Sequence, residues 1–198
     1  MKAGEKGVIK EPLIPSYEKF WNFYLGFGYG TLPISGVKED SSQGFSCCIL
    51  LDLGLQGKLT DIFAVRGTFT YFIGSSSNST NSAENVNNEY ELTDVSGMAF
   101  DLSLPVYLPD QTWPKYYLAP EAGTISSELT LQKLDVKRRV DVTQNSYGIG
   151  GGAEWIQNTN ESKGIGGYVR ISVRKYSDTK EFNGNTGVVI NGGFLFAF

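Results

Sequence analysis

Seven charged residues fall at positions where an extended chain would turn them away from its bulky apolar side chains: Asp52, Arg66, Asp101, Glu121, Glu154, Arg170 and Arg174. Carboxylates brought close together could act as general acid and general base, and Asp101 and Glu121 lie on segments expected to be neighbours. Charges of both signs held away from water would instead pair with one another, because an isolated buried ion is very costly. The second reading needs fewer assumptions and makes the seven a structural network. No His is present, so imidazole-activated Ser or Thr nucleophiles are excluded, and with them His-dependent acyl transfer and proteolysis. Cys47 and Cys48 are adjacent, so in a strand they point to opposite faces and cannot bridge without strain. Without a second Cys pair or a His, neither a metal site nor a cofactor is expected. The net charge of −4 and a single basic run, Lys137-Arg138-Arg139, argue against a nucleic-acid partner. The run reads as a solvated cluster. The glycine-rich GFGYG and GIGGG runs lead into no helix and are not phosphate loops.

Period-two alternation defines the elements that would position these residues. It recurs in Trp21 to Leu32, Phe45 to Leu55, Thr60 to Ile73, Ser96 to Val106, Lys115 to Ile125, Tyr147 to Gln157, Ile165 to Lys175 and Thr186 to Phe198. In Phe45 to Leu55, for example, Phe45, Cys47, Ile49, Leu51, Leu53 and Leu55 oppose Ser46, Cys48, Leu50, Asp52 and Gly54. Pro120 interrupts the fifth segment. Leu118 and Ala122 are placed outward there, with Tyr117, Ala119 and Glu121 inward, since the reverse would set Glu121 in apolar surroundings. In the sixth, Ile156 falls inward and Gln157 outward. Glycines at 26, 28, 30, 148, 150 and 152 make room for inward Tyr24, Tyr168 and the arginines. Glu128 to Val142 is also β-like, but its parity does not match that of Tyr147 onward. It predicts a hairpin extending beyond a membrane, with a bulge or irregularity near Gln144 to Ser146.

No stretch of 18 apolar residues could form a membrane helix. Eight strands of about ten residues each, however, suffice to span a bilayer, and an even number closes an antiparallel barrel without edges. The expected fold is therefore all-β: an eight-stranded antiparallel up-and-down transmembrane β-barrel over residues 20–198, preceded by a periplasmic extension over residues 1–19. The opening Met1 to Glu5 has no apolar signal region, so the numbering of an exported chain is expected to begin at a mature or recombinant start. Within the extension, Lys10 to Phe20 (KEPLIPSYEKF) suits docking in extended form as well as a flexible leader. The connections Gln56 to Lys58, Leu108 to Pro114 and Asn158 to Ser162 are short. Pro33 to Gly44, Gly74 to Glu89, the Glu128 region and Ser177 to Asn185 are longer. Short turns belong to the periplasmic side of such barrels, which places both termini in the periplasm.

The final segment, TGVVINGGFLFAF, alternates without error onto a terminal aromatic, with Ile190, Phe194, Phe196 and Phe198 on its bulkier face. It resembles the C-terminal strand of bacterial outer-membrane barrels. The whole pattern from Trp21, including Phe100 to Ser126, is similar to the small eight-stranded barrels of the OmpA, OmpX and opacity-protein type and to porin-like outer-membrane barrel domains. The resemblance implies location in the bacterial outer membrane, with lipid and lipopolysaccharide around the wall. It also implies that Phe194, Phe196 and Phe198 form a signal read by the barrel-assembly machinery. The function implied is that of a non-catalytic structural or interaction protein, in adhesion, envelope stability or a larger envelope complex; the alternative is a small-solute channel. A soluble lipocalin-type barrel would be apolar inside and polar outside, the reverse of this pattern.

Overall fold

The computed structural model describes residues 21–31, 34–37, 47–75, 91–109, 114–133, 136–160, 163–180 and 182–198. Its strands are β1 (Trp21–Thr31), β2 (Ile34–Val37), β3 (Cys47–Lys58), β4 (Ala64–Ser75), β5 (Glu91–Ser103), β6 (Val106–Tyr107), β7 (Lys115–Lys133), β8 (Val136–Asn160), β9 (Lys163–Tyr176), β10 (Phe182–Gly184) and β11 (Thr186–Ala197). Eight of them form one antiparallel sheet in the order β5, β4, β3, β1, β11, β9, β8, β7, and the β5–β7 pairing closes it. The first and last staves meet along β1–β11, from Asn22 opposite Ala197 to Gly30 opposite Val189. This is the all-β, eight-stranded up-and-down barrel expected from the alternation. The proposed extension over residues 1–19 and most of the Gly74 to Glu89 connection lie outside the described residues.

The burial pattern is inside out relative to a water-soluble protein. Phe27, Tyr29, Leu102, Ile149 and Ile171 are exposed, whereas Asp52, Arg66 and Asp101 are each only 2% exposed. Apolar surface on this extent is not sustained by water, and lipid is the medium that suits it. In β7, Leu118 and Ala122 face out while Tyr117, Ala119 and Glu121 face in. Pro120 sits where the neighbouring stave is broken between β5 and β6 at Leu104 and Pro105. Its carbonyl still accepts from Leu104 N–H at 3.1 Å. The N–H that proline lacks would be the other half of that pair, so the ladder gives up one bond, at the point where β5 gives way to β6.

Three expectations shift. Gln56, Gly57 and Lys58 belong to β3 and not to a turn. The reversal comes later, where the N–H groups of Leu59 and Thr60 donate to Phe63 O, and Thr60 Oγ1 accepts from the N–H groups of Ile62 (3.2 Å) and Phe63 (3.0 Å). That side-chain turn outcompetes the strand start at Thr60. Second, two of the long connections contain structure, because β2 and β10 pair with each other. Third, there is no bulge between β7 and β8 at Gln144 to Ser146: the register is unbroken from Lys115 opposite Glu154 to Lys133 opposite Val136. What changes along β8 is the medium on each side. Near Tyr147 and Ile149 the outer face is apolar; beyond Ser146 the apolar residues Val140 and Val142 face inward instead. They join Cys48, Leu50, Phe72, Val95, Ile125, Leu129, Tyr176 and Phe182 in an apolar cap that fills the end of the barrel opposite the termini. An inverted hydrophobic phase therefore imitates a register slip.

Candidate functional site

Inward residues of period two from seven staves fill the bore with two polar clusters. In the half nearer the termini, Arg66 on β4 lies between the rings of Tyr24 (4.3 Å to the ring centre) and Tyr117 (4.8 Å). It donates to Gln56 Oε1 from Nε (3.0 Å) and Nη2 (2.7 Å), to Tyr117 OH from Nη1 (2.9 Å), and from Nη2 to Glu154 Oε1. Glu154 accepts further bonds from Tyr24 OH at 3.0 Å and Tyr107 OH at 2.8 Å, and Gln56 Nε2 donates to Tyr107 OH at 2.9 Å. Every ionised atom in this cluster has a partner, the condition under which a buried pair is tolerated.

The second cluster is deeper, beneath the apolar cap. Arg170 donates to Glu121 Oε1 from Nε (3.0 Å) and Nη2 (2.6 Å), and Arg174 bridges Glu121 Oε2 (3.0 Å) and Asp101 Oδ2 (2.6 Å). Two glycines admit these groups. A Cβ on Gly150 would sit 2.2 Å from Glu121 Oε1, and one on Gly26 would sit 1.9 Å from the Tyr168 hydroxyl. Asp52 stands apart: it accepts from Thr70 Oγ1 at 2.6 Å and from Asn191 Nδ2, and no arginine reaches it. The expectation that all four acids pair with arginine is thus corrected for Asp52, because Arg66 is engaged by Glu154 and the other two arginines by Glu121 and Asp101.

All seven charged residues thus face one interior, but they divide into an Arg66–Glu154 group, an Arg170–Arg174–Glu121–Asp101 group and the separate Asp52. Asp101 and Glu121 do come close, with Arg174 between them, which neutralises the pair that acid–base chemistry would need. Gln56, Thr70, Tyr107 and Asn191 complete the clusters and were not among the sequence-derived residues. Gln56 continues the inward parity of Asp52 and Gly54, so extending that strand by one residue would have found it. Between Asp52 and the apolar cap is a cavity of about 30 Å³, lined in part by Thr70, Arg170, Arg174 and Asn191. Among the described residues no group of Cys, Asp and Glu side chains is arranged to hold a metal ion. Cys48 is buried, and the side chain of Cys47 lies outside the described residues. On the last strand Phe194 and Phe198 are exposed, while Phe196 packs its ring 6.3 Å from that of Phe23.

No protein-family model matches the chain, and no curated protein matches it. Solved structures do. Neisserial surface protein A aligns with a TM-score of 0.51 at 11% identity, covering 90% of this chain and 96% of that one. The N-terminal β-barrel domain of Pseudomonas aeruginosa OprF aligns at 0.47 and 12% identity over 91% and 98%, and the attachment invasion locus protein of Yersinia pestis at 0.44 and 14% over 89% and 99%. The identity with Neisserial surface protein A is too low to carry a function across, but the shared closure of eight antiparallel staves establishes the architecture. In fold, the chain is a small eight-stranded antiparallel β-barrel, similar to that of Neisserial surface protein A.

Proposed function

We propose that this barrel is a non-catalytic integral protein of the bacterial outer membrane, acting as a structural or interaction component of the envelope through its long connections and its N-terminal segment. The observation that supports this reading is the filled interior: two satisfied ionic clusters and an apolar cap occupy the bore, while the wall is given over to lipid. Surface free to recognise something else lies at the ends. The termini face the periplasm and the long connections face outward, in keeping with the short reversals on the side of Trp21 and Phe198. Lipid and lipopolysaccharide contact the outer wall, Phe194, Phe196 and Phe198 serve the assembly machinery, and Lys10 to Phe20 offers an attachment to a larger envelope complex. The chemistry of the bore gives no support to catalysis, because each carboxylate is held by an arginine or by neutral donors. Conductance of the refolded full chain in a planar bilayer tests the reading. Absence of large, stable single-channel currents is expected; their presence would replace it with the small-solute channel.

A further inference from the structure

The wall of the barrel does not end at one level. β9 stops at Tyr176, opposite Ser146, but β8 continues to Val136, paired throughout with β7 on its other side. The last hydrogen bonds that the β8 backbone makes on the β9 side are those of Asn145, whose carbonyl accepts from Ser177 N–H at 2.9 Å and whose N–H donates to Ser177 Oγ at 3.0 Å. Both backbone groups of Asn145 therefore point to that side. Because the β7–β8 register is unbroken, period two sends the N–H and C=O groups of Thr143, Asp141, Arg139 and Lys137 the same way. Among the described residues nothing pairs with those groups, and all four residues are exposed.

We infer that this β8 edge receives an extended, acidic segment of a partner protein as an added strand. The inference rests on the interaction role proposed above and names the kind of partner. An open strand edge is a template for another chain, with backbone bonds supplying affinity and flanking side chains supplying selectivity. The flanks here are basic: Lys137, Arg138 and Arg139 occupy the edge, and Lys180 lies across a cleft of about 180 Å³ from Val140, Asp141, Val142 and Thr143. The Arg139–Glu128 pair is 3.4 Å apart and open to solvent, so a partner carboxylate can exchange with Glu128 at little cost. A second copy of this chain is a poor occupant, since self-pairing about Arg139 sets the basic run against itself. Anionic headgroups would use the side chains alone and leave the backbone groups unpaired.

That distinction supplies the test. The refolded full-length barrel in detergent is used to select binders from a displayed library of random ten-residue peptides. Selected peptides are expected to carry Asp or Glu at alternate positions and no proline, and to protect the amides of Lys137, Arg139, Asp141 and Thr143 from hydrogen exchange. Asp141→Pro removes one open-edge donor without touching the β7 ladder, and it should weaken a selected peptide about three- to tenfold. Replacing Lys137, Arg138 and Arg139 together by Gln should weaken it further. If the peptides bind Asp141→Pro as well as the unaltered protein, or leave those amides unprotected, the edge is a charged surface only and strand addition is wrong. A failure to select any peptide overturns it as well. Where the proline variant does not fold, the amide pattern of the unaltered protein decides alone. Bilayer conductance on the same preparation separates this outcome from failure of the envelope reading: a conducting barrel that still adds an acidic strand would remove the proposed function and keep the edge.

Discussion

Asp52 and Glu154 are equally buried, at 2% exposure each, yet their surroundings make opposite demands. Glu154 neutralises the Arg66 guanidinium that is stacked between two tyrosines, so Glu154→Gln would strand a cation inside the bore. A loss of about 3 to 5 kcal/mol in a urea titration from lipid or detergent is expected. Asp52 meets only Thr70 and Asn191, and an amide can accept and donate in the same place. Asp52→Asn should therefore stay within about 1 kcal/mol of the unaltered protein in the same titration. Equal costs for the two substitutions would mean that the clusters are not electrically separate. Gly150→Ala belongs with these tests, because the new methyl would fall within 2.2 Å of Glu121 Oε1 and displace the carboxylate that holds Arg170 and Arg174. Its cost should shrink when Glu121 is replaced by Ala as well, a coupling that a double-mutant cycle measures directly.

Along β8 a single face passes from one solvent to another without a change in register. Ile149→Arg should cost about 2 to 4 kcal/mol if that residue lies near the bilayer midplane, whereas Thr143→Arg, on the same outward parity of the same strand, should be nearly neutral. Refolding titrations of the two variants in lipid vesicles check this, and similar penalties would mean that the membrane reaches farther up the strand. This element also marks the limit of what alternation reveals. Period two located all eight staves and the facing of Glu121, since a charged group has one tolerable side in lipid. It reported a bulge at Gln144 to Ser146 because polarity tells which side is drier, not which side is inside. Where the drier side moves inward, under the cap of Leu129, Val142 and Phe182, the pattern inverts while the backbone runs on. Similar reasons hid Tyr107 and Gln56. Tyr107 lies beyond the kink at Pro105, where alternation lapses, and Gln56 was assigned to a glycine-containing turn. Asn191 was legible as inward but not as a partner of Asp52, since the reach of one side chain across Gly26 and Gly28 depends on the closed curvature of the wall.

A closed sheet of this kind should partition into detergent and migrate as a heat-modifiable β-rich species, because unfolding breaks all eight strand pairings at once. A detergent-free monodisperse monomer would contradict it. Closure has another consequence. Phe198 N–H donates to Trp21 O at 3.2 Å, and β1 pairs with β11 as continuously as any two staves joined by a turn. The seam is therefore defined by biosynthesis, not by geometry. A circular permutant that omits residues 1–20, joins Phe198 to Trp21 through a short flexible linker and opens instead between Asn160 and Lys163 should refold in vitro to the same barrel. Its interior clusters would be intact, since bridging ends already adjacent adds little loop entropy. In cells the permutant would no longer present β11 as its last strand. If Phe194, Phe196 and Phe198 are read as a terminal address, it would refold in the test tube and fail to reach the membrane. One rearrangement would thus separate the information that shapes the barrel from the information that delivers it.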